Sequence, residues 1–188
     1  MKLVVLSGAN VGTRTRTVMN RVLEAVREFD PTIDASLIDL SELIMPFADG
    51  RIYTEQTGDA GWLTAQIMEA DALIIGSPVF QASIPAALKN VFDLLPVNAF
   101  RGKVAGMVVT AGSAKHYLVG QQQLQPILTY MKAQVVQPYV FVEQVDVHRG
   151  EIVNHDVDQR LERLAQDTVA LSRAFTHVLQ EAEAAYGF

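Results

Sequence analysis

The chain of 188 residues contains no cysteine, and this absence narrows the chemistry that it can perform. Disulfides, thiolate nucleophiles and cysteine-ligated zinc or iron–sulfur centres are excluded. The chain has no lysine- or arginine-rich run, and its net charge of -6 argues against nucleic acid as a partner. No apolar stretch approaches the roughly 20 residues of a membrane span, and the first residues run straight into a strand pattern. We therefore expect a cytoplasmic protein that takes any redox chemistry from an organic cofactor.

Two nucleotide-binding signatures are also missing. The chain has neither Gly-x-x-x-x-Gly-Lys-Ser/Thr nor Gly-x-Gly-x-x-Gly, which argues against a triphosphate in a P-loop and against a resident dinucleotide. It does have a hydroxyl-rich loop over residues 7–17, between an apolar strand and a helix. Free N–H groups at a helix N-terminus attract anions, and further donors are Thr13, Arg14, Thr15, Arg16 and Thr17. This loop predicts a site for one phosphate group, the alternative being a solvated loop with threonine caps.

Strand and helix patterns alternate along the whole chain. Apolar runs predict strands at residues 3–6, 35–39, 72–75, 104–109 and 135–142. Helical spacing predicts helices over residues 17–29, 61–70, 84–95 and 115–132, with a kink or restart at Pro126, and a last helix capped by Asn154 or Asp156. This alternation favours one α/β domain over residues 1–188, a three-layer sandwich around a five-stranded parallel sheet of order 2-1-3-4-5.

The most informative stretch of the sequence is residues 76–96. Gly76-Ser-Pro78 follows an apolar run and predicts the end of a strand, because proline cannot donate to a ladder. Residues 79–83 then form a loop, and the next helix ends at Pro96. A second loop of small residues, 110–114, follows the fourth strand. Ligands of open α/β sheets bind at the carboxyl ends of the strands, where both loops are expected.

Residues 76–96, GSPVFQASIPAALKNVFDLLP, resemble the isoalloxazine loop and following helix of the NAD(P)H-dependent FMN reductases of flavodoxin-like fold. The similarity extends over residues 3–141 and is closest to members that supply reduced flavin to two-component monooxygenases. It implies FMN as the flavin, NADPH or NADH as the hydride donor, and a flavin-dependent monooxygenase as a partner.

The resemblance also implies which residues bind the flavin, and none of them is implied as catalytic. Thr15, Arg16 and Thr17 match the end of the family's phosphate loop if one residue is inserted, whereas the usual first serine falls on Ala9 and the usual arginine near Val11. The ring would be contacted by the loop after the third strand and by the loop that resembles the family's Thr-Gly-Gly turn, through Pro78, Val79, Phe80, Gln81, Thr110, Gly112 and Ser113. His116 has a counterpart in flavin-supplying members, although a lone histidine at a helix start is commonly a structural hydrogen-bonding residue.

The sequence is compatible with three functions. The leading one is an NAD(P)H:FMN oxidoreductase that treats flavin as a substrate. The second keeps FMN bound and reduces quinones, azo compounds or other xenobiotics. The third is a flavodoxin-like electron carrier without NAD(P)H activity, which is disfavoured because the ring loops hold Phe80 but no carboxylate.

Four further features of the sequence lead to predictions. The helix over residues 84–95 carries apolar residues on more than one face, which predicts a homodimer or homotetramer. Trp62 is interpreted as core or interface packing. Residues 145–153 predict a hairpin around Arg149-Gly150, and the run from Asn154 to Gln159 is interpreted as a helix cap rather than a metal site.

Overall fold

The computed structural model describes residues 1–186. Its main sheet contains β1 (Lys2–Ser7), β2 (Asp34–Asp39), β3 (Ala72–Pro78), β4 (Val104–Ala111), β5 (Gln134–Val135) and β6 (Val140–Glu143). A separate hairpin consists of β7 (Val147–His148) and β8 (Glu151–Ile152). The α-helices are α1 (Arg14–Phe29), α2 (Gly58–Glu69), α3 (Ala86–Asp93), α4 (Gln125–Tyr130) and α5 (His155–Tyr186).

The sheet is parallel and has the order β2-β1-β3-β4, with β5 and β6 both paired to the far edge of β4. This confirms the predicted order 2-1-3-4-5. The fifth position differs in one respect, because the single strand expected there is divided into two short pieces. Pro138 lies between the pieces, and a residue without an N–H cannot continue the ladder. The division is tolerated because this strand lies at the edge of the sheet.

Helices cover both faces of the sheet and form two apolar cores. α1 and α5 pack on one face, and α2, α3 and α4 pack on the other. Within β1, Leu3 and Val5 enter the first core, whereas Val4 and Leu6 enter the second. A strand buried on both faces needs apolar residues at successive positions, which explains the continuous apolar runs of the sequence.

Several boundaries differ from the predictions. β3 continues through Gly76-Ser-Pro78, whose residues pair with residues 108–110 of β4, so the chain leaves the sheet only at Val79. The helix predicted over residues 115–132 is broken into a 3₁₀ turn (Ala114–His116), a π-helical turn (Gly120–Leu124) and α4. Pro126 lies in the first turn of α4 and marks the expected restart.

The two long helices, α1 and α5, begin close to the predicted positions. α1 begins at Arg14, three residues before the predicted start. α5 begins at His155, where the Asn154 carboxamide oxygen accepts the Asp156 N–H at 3.0 Å, as one of the two predicted caps. The predicted hairpin is present as β7 and β8. Within residues 1–186, no helix combines the length and apolar character needed to cross a bilayer.

The apolar residues of α3 and its C-terminal extension are covered within the single chain. Leu88, Val91, Phe92 and Leu95 are all buried in one core cluster with residues of α4 and of the loop before β4. Phe92 meets Phe100 edge to face, with ring centroids 6.2 Å apart. The excess of apolar faces that suggested an oligomer is therefore not present on this helix.

Candidate functional site

A cleft of about 370 Å³ opens at the carboxyl edge of the sheet. Its walls are the loop between β1 and α1 with the first turn of α1, the last residue of β3 with the residues that follow it, the end of β4, and the tip of the β7–β8 hairpin. The first three are the segments that the sequence predicted to meet at this edge. Topology brings them together, because parallel strands end on the same side of a sheet.

The N-terminus of α1 forms one end of the cleft. Thr13 caps the helix without a side-chain hydrogen bond, and the Thr17 N–H donates to the Thr13 carbonyl at 2.9 Å. The amides of residues 14–16 therefore precede the first regular helical bond and lack a carbonyl four residues earlier in the helix. Gly12, at φ +81°, provides the left-handed turn that precedes them. This arrangement of backbone donors is suited to an anion.

The two arginines of the first turn of α1 point in different directions. Arg14 lines the cleft. The Arg16 guanidinium instead lies 3.5 Å from the Asp39 carboxylate and 2.5 Å from that of Glu42, and Arg16 is not among the cleft-lining residues. Residues two apart on a helix differ in direction by roughly 200°, so the two side chains cannot share a face. The structure thus brings Arg14 to the cleft wall, and it does not bring Arg16 there.

A buried pair of threonines ties this end of the cleft to the sheet. The Thr15 and Thr110 hydroxyl oxygens are 2.8 Å apart, and both residues are 3% exposed. The Thr110 carbonyl also accepts the Val79 N–H at 3.0 Å. Thr110 therefore connects all three predicted loops. Thr15 uses its hydroxyl in this link, and both Thr15 and Thr17 line the cleft.

The other end of the cleft is formed largely by backbone and apolar groups. Pro78, Val79 and Phe80 line it, and Phe80 remains 38% exposed. Phe80 and Ser83 exchange two N–H···O bonds of 3.0 Å, which closes a two-residue turn at Gln81 (φ 49°) and Ala82 (φ 60°). Both central residues are left-handed, as in the type I′ turn that ordinarily favours Asn-Gly. Gln81 lies in this turn and is not part of the cleft wall.

The end of β4 and the first residue of the loop after it contribute to the cleft. Thr110, Ala111 and Gly112 line it, and a Cβ on Gly112 would meet only the Gln144 Oε1 atom, at 4.0 Å. Ser113 caps the following 3₁₀ turn by accepting the Lys115 N–H at 3.4 Å, and His116 ends that turn. The structure therefore brings neither Ser113 nor His116 into the cleft wall.

The residue that sequence reasoning missed is Arg149. The hairpin was predicted as an element, but no local pattern indicates where its tip will lie, and the structure places Val147, Arg149 and Gly150 on the cleft wall. Among residues 1–186, those that line the cleft include Arg14 and Arg149 and no carboxylate. Within residues 1–186, no His, Asp and Glu side chains are grouped in a way that could hold a metal ion.

Comparison with known proteins places this cleft in a family. A family model described as NADPH-dependent FMN reductase matches residues 1–146. The chain belongs to this family. It is 36% identical over 170 residues to an NAD(P)H-dependent FAD/FMN reductase of Geobacillus thermodenitrificans, which covers 90% of this chain and 92% of that protein.

Solved structures agree with the fold of this FMN reductase family member. An oxidoreductase from Corynebacterium diphtheriae superposes with a TM-score of 0.75 at 32% identity, over 92% of this chain and 97% of that one. An oxidised flavodoxin from Bacillus cereus, at 15% identity, superposes with a TM-score of 0.62 over 90% of this chain and 98% of that one. The second likeness concerns the fold alone and confirms that the architecture is flavodoxin-like.

Proposed function

We propose that the cleft binds FMN and that the protein catalyses hydride transfer to it from NADPH or NADH. One observation carries the proposal. In the part of the chain that the structure describes, a cleft at the carboxyl edge of the sheet has two arginines without a carboxylate partner and free amides at one end, and a backbone wall without carboxylates at the other. FMN has the matching polarity, with one phosphate and one flat ring. Family membership supplies the reaction class.

The chain's own residues fit the two ends of this ligand. At the phosphate end, the first-turn amides of α1, the Arg14 guanidinium and the Thr17 hydroxyl would donate to phosphate oxygens. At the ring end, residues 78–80 and Gly112 would contact the flat ring, since small residues and backbone groups permit close approach. Contacts from Gln81, Ser113 and His116 stay predictions from sequence.

The flavin supplies the chemistry when bound, because its ring can accept a hydride from a nicotinamide. The described part of the chain places no histidine, carboxylate or lysine on the cleft wall that could act as a general acid or base. The protein's contribution is therefore to hold the phosphate, to orient the ring against the loop after β3, and to leave room for the nicotinamide. A site built largely of backbone and apolar groups is suited to binding and orienting a flavin in this way.

The decisive experiment measures NADPH and NADH oxidation by the purified protein with and without added FMN. Oxidation that depends on added FMN is expected if the flavin is a substrate. Measuring the flavin that co-purifies distinguishes this from the second candidate, in which tightly bound FMN reduces quinones or azo compounds. Absence of NAD(P)H oxidation under both conditions, together with tight FMN binding, would favour an electron carrier and contradict the proposal.

A flavin-dependent monooxygenase is the proposed acceptor of the reduced flavin, and the support for it is the similarity of residues 76–96. The test couples the protein with NAD(P)H and FMN to a monooxygenase of the two-component type and measures substrate oxidation. Product formation that requires all three components is expected. If the protein reduces FMN but the monooxygenase oxidises no substrate, the proposed reductase activity stands and the proposed partner is contradicted.

We further infer a homodimer or homotetramer, from a different surface than the sequence suggested. Ile44, Phe47 and Trp62 are 86%, 81% and 48% exposed, so Trp62 is not a core residue. The backbone of residues 46–48 is nevertheless held in place. The Asn90 side chain accepts the Ala48 N–H at 2.9 Å and donates to the Pro46 carbonyl at 2.8 Å. Large exposed apolar side chains are typical of an interface.

A second copy of the chain is the proposed partner, and the segment over residues 44–48 is the proposed contact. Sedimentation at micromolar concentration is expected to show a species larger than the 20.6 kDa monomer. Phe47→Asp is expected to shift that species towards the monomer, whereas Val153→Asp, a change at another exposed apolar position, leaves it unchanged. A wild-type protein that sediments as a monomer would contradict the inference.

A further inference from the structure

The β7–β8 hairpin holds its tip in a defined position. Val147 pairs with Ile152 and His148 with Glu151, which leaves Arg149 and Gly150 as a two-residue turn. The buried Asp146 carboxylate fixes the base, since it accepts the Glu143 N–H at 2.8 Å and the Asn154 side-chain N–H at 2.7 Å. The Asp146 carbonyl accepts the Val153 N–H at 2.8 Å. The tip is thus anchored to both β6 and the start of α5.

The identity of Arg149 is not explained by the turn itself. Arg149 has φ 51° and Gly150 has φ 83°, the pattern of a type I′ turn. Such turns favour asparagine, aspartate or glycine at the first central position, because other L-residues are disfavoured in the left-handed region. Arginine at this position is a poor choice for the local backbone. A reason for it must come from its side chain.

Ion pairing within the described chain does not explain why position 149 is an arginine. Neither Arg149 nor Arg14 forms a salt bridge with a carboxylate of residues 1–186, whereas Arg16, Arg21 and Arg173 all do. Both of these arginines line the same cleft, and none of the described residues that line it has a carboxylate. In a chain of net charge -6, two unneutralised cations facing one cleft indicate an anionic ligand.

The hairpin also lies beyond the segment that defines the family. The family model ends at residue 146, and β7 begins at Val147. The phosphate loop of this chain is correspondingly poor in ligands, with Ala9 and Val11 where donors were expected. Arg149 approaches the cleft from a segment about 130 residues further along the chain.

We propose that Arg149 is a ligand of the flavin phosphate, a second cation that complements Arg14 and replaces the missing donors of the phosphate loop. The inference rests on the proposed function, since it names a further binding residue of the same site. Arginine is suited to this role because its planar guanidinium can donate two parallel hydrogen bonds to phosphate oxygens. Arg149 is then a specificity-determining residue for phosphorylated flavins over riboflavin.

Arg149→Asn tests the proposal without endangering the fold, because asparagine is favoured at this turn position. FMN and riboflavin are titrated separately against wild type and variant in the absence of nicotinamide nucleotide. We expect the affinity for FMN to fall by about 5- to 50-fold and that for riboflavin to change by less than about twofold. The loss for FMN should shrink as salt is raised, because Arg149 is exposed.

Arg101→Asn is the matched control. Arg101 is exposed, has no salt bridge within the described residues, and lies on the turn before β4, away from the cleft wall. Its replacement removes the same charge and should leave the affinities for both flavins unchanged. An equal FMN loss in this control would show a general charge effect and overturn the proposal.

Other outcomes are equally decisive. Equal losses for FMN and riboflavin in Arg149→Asn would mean that the hairpin only shapes the cleft, and no loss for either would remove Arg149 from the site. Unchanged FMN affinity with a rise in the KM for NADPH but not for NADH would assign Arg149 to the nucleotide's extra phosphate instead. Each of these results overturns the proposal while FMN binding by the wild type still stands. Failure of the wild type to bind FMN would contradict the proposed function itself.

Discussion

The two ends of the cleft are built in different ways. The ring end comes from continuous stretches of chain, residues 78–80 and 110–112, and presents backbone and apolar groups. The phosphate end combines the first turn of α1 with a hairpin tip more than a hundred residues away, and its character depends on charged side chains. A site made of backbone is determined once the strands and loops are in place. A site made of side chains also depends on the direction of each one.

The largest effect is expected at Gly8. A close backbone contact there joins the loop after β1 to β3, and both ends of the cleft depend on these two segments. The Gly8 N–H donates to the Gly76 carbonyl at 2.7 Å, and a Cβ on Gly8 would lie 2.7 Å from that oxygen and 2.8 Å from the Leu88 side chain. We expect Gly8→Ala to lower the free energy of unfolding by about 2–3 kcal/mol, because backbone must move to relieve the contact. Urea denaturation measures the loss.

Gly112→Ala is the control for that substitution. Its Cβ would have no neighbour closer than 4.0 Å, so stability should change by less than about 0.5 kcal/mol. If the two variants were equally stable, the close approach of β1 and β3 would not be what fixes both ends of the cleft.

The phosphate end alone is tested by Arg14→Ala. A charge-assisted hydrogen bond contributes roughly 1.5–3 kcal/mol, so FMN affinity should fall by about 10- to 100-fold while riboflavin affinity is unchanged. Titration of both flavins provides the measurement. Arg16→Ala is a matched control on the same helix turn, and its guanidinium already has carboxylate partners in Asp39 and Glu42. A large FMN loss in Arg16→Ala with none in Arg14→Ala would restore the assignment made from sequence.

The sequence predicted the fold and the segments that meet at the cleft, but not which arginine side chains face it, for a physical reason. Apolar runs and turn residues report burial and strand ends, and these suffice to bring residues 78–80 and 110–112 to one edge. The choice between Arg14 and Arg16 depends on where α1 begins, and a shift of two residues turns a side chain to the opposite face. The position of Arg149 depends on the packing of a hairpin against α1, which no local pattern records.

The connection between the ends is tested by Thr110→Val, which keeps the side-chain shape and removes the hydroxyl. The Thr15 hydroxyl would be left buried without its 2.8 Å partner, so the free energy of unfolding should fall by about 1–2 kcal/mol. Thr15→Val with Thr110→Val should cost less than the sum of the single changes, because neither hydroxyl is then left alone. Strict additivity in this double-mutant cycle would show that the two threonines do not interact.

The smallest expected effect is at the ring end, in the turn between Phe80 and Ser83. Ala82 has φ 60°, and an L-residue in this region is disfavoured by roughly 1–2 kcal/mol, part of which glycine loses again through the entropy of the unfolded chain. We therefore expect Ala82→Gly to raise the free energy of unfolding by about 0.5 kcal/mol. The same change at Ala87 in α3 should lower it by about 1 kcal/mol, because glycine is unfavourable inside a helix.

FMN affinity should change by less than about twofold in Ala82→Gly, since the contacts proposed for the ring lie at residues 78–80, before the turn. A marked loss of FMN affinity would show that the strained turn itself positions the ring, and the backbone account of this end would have to include it.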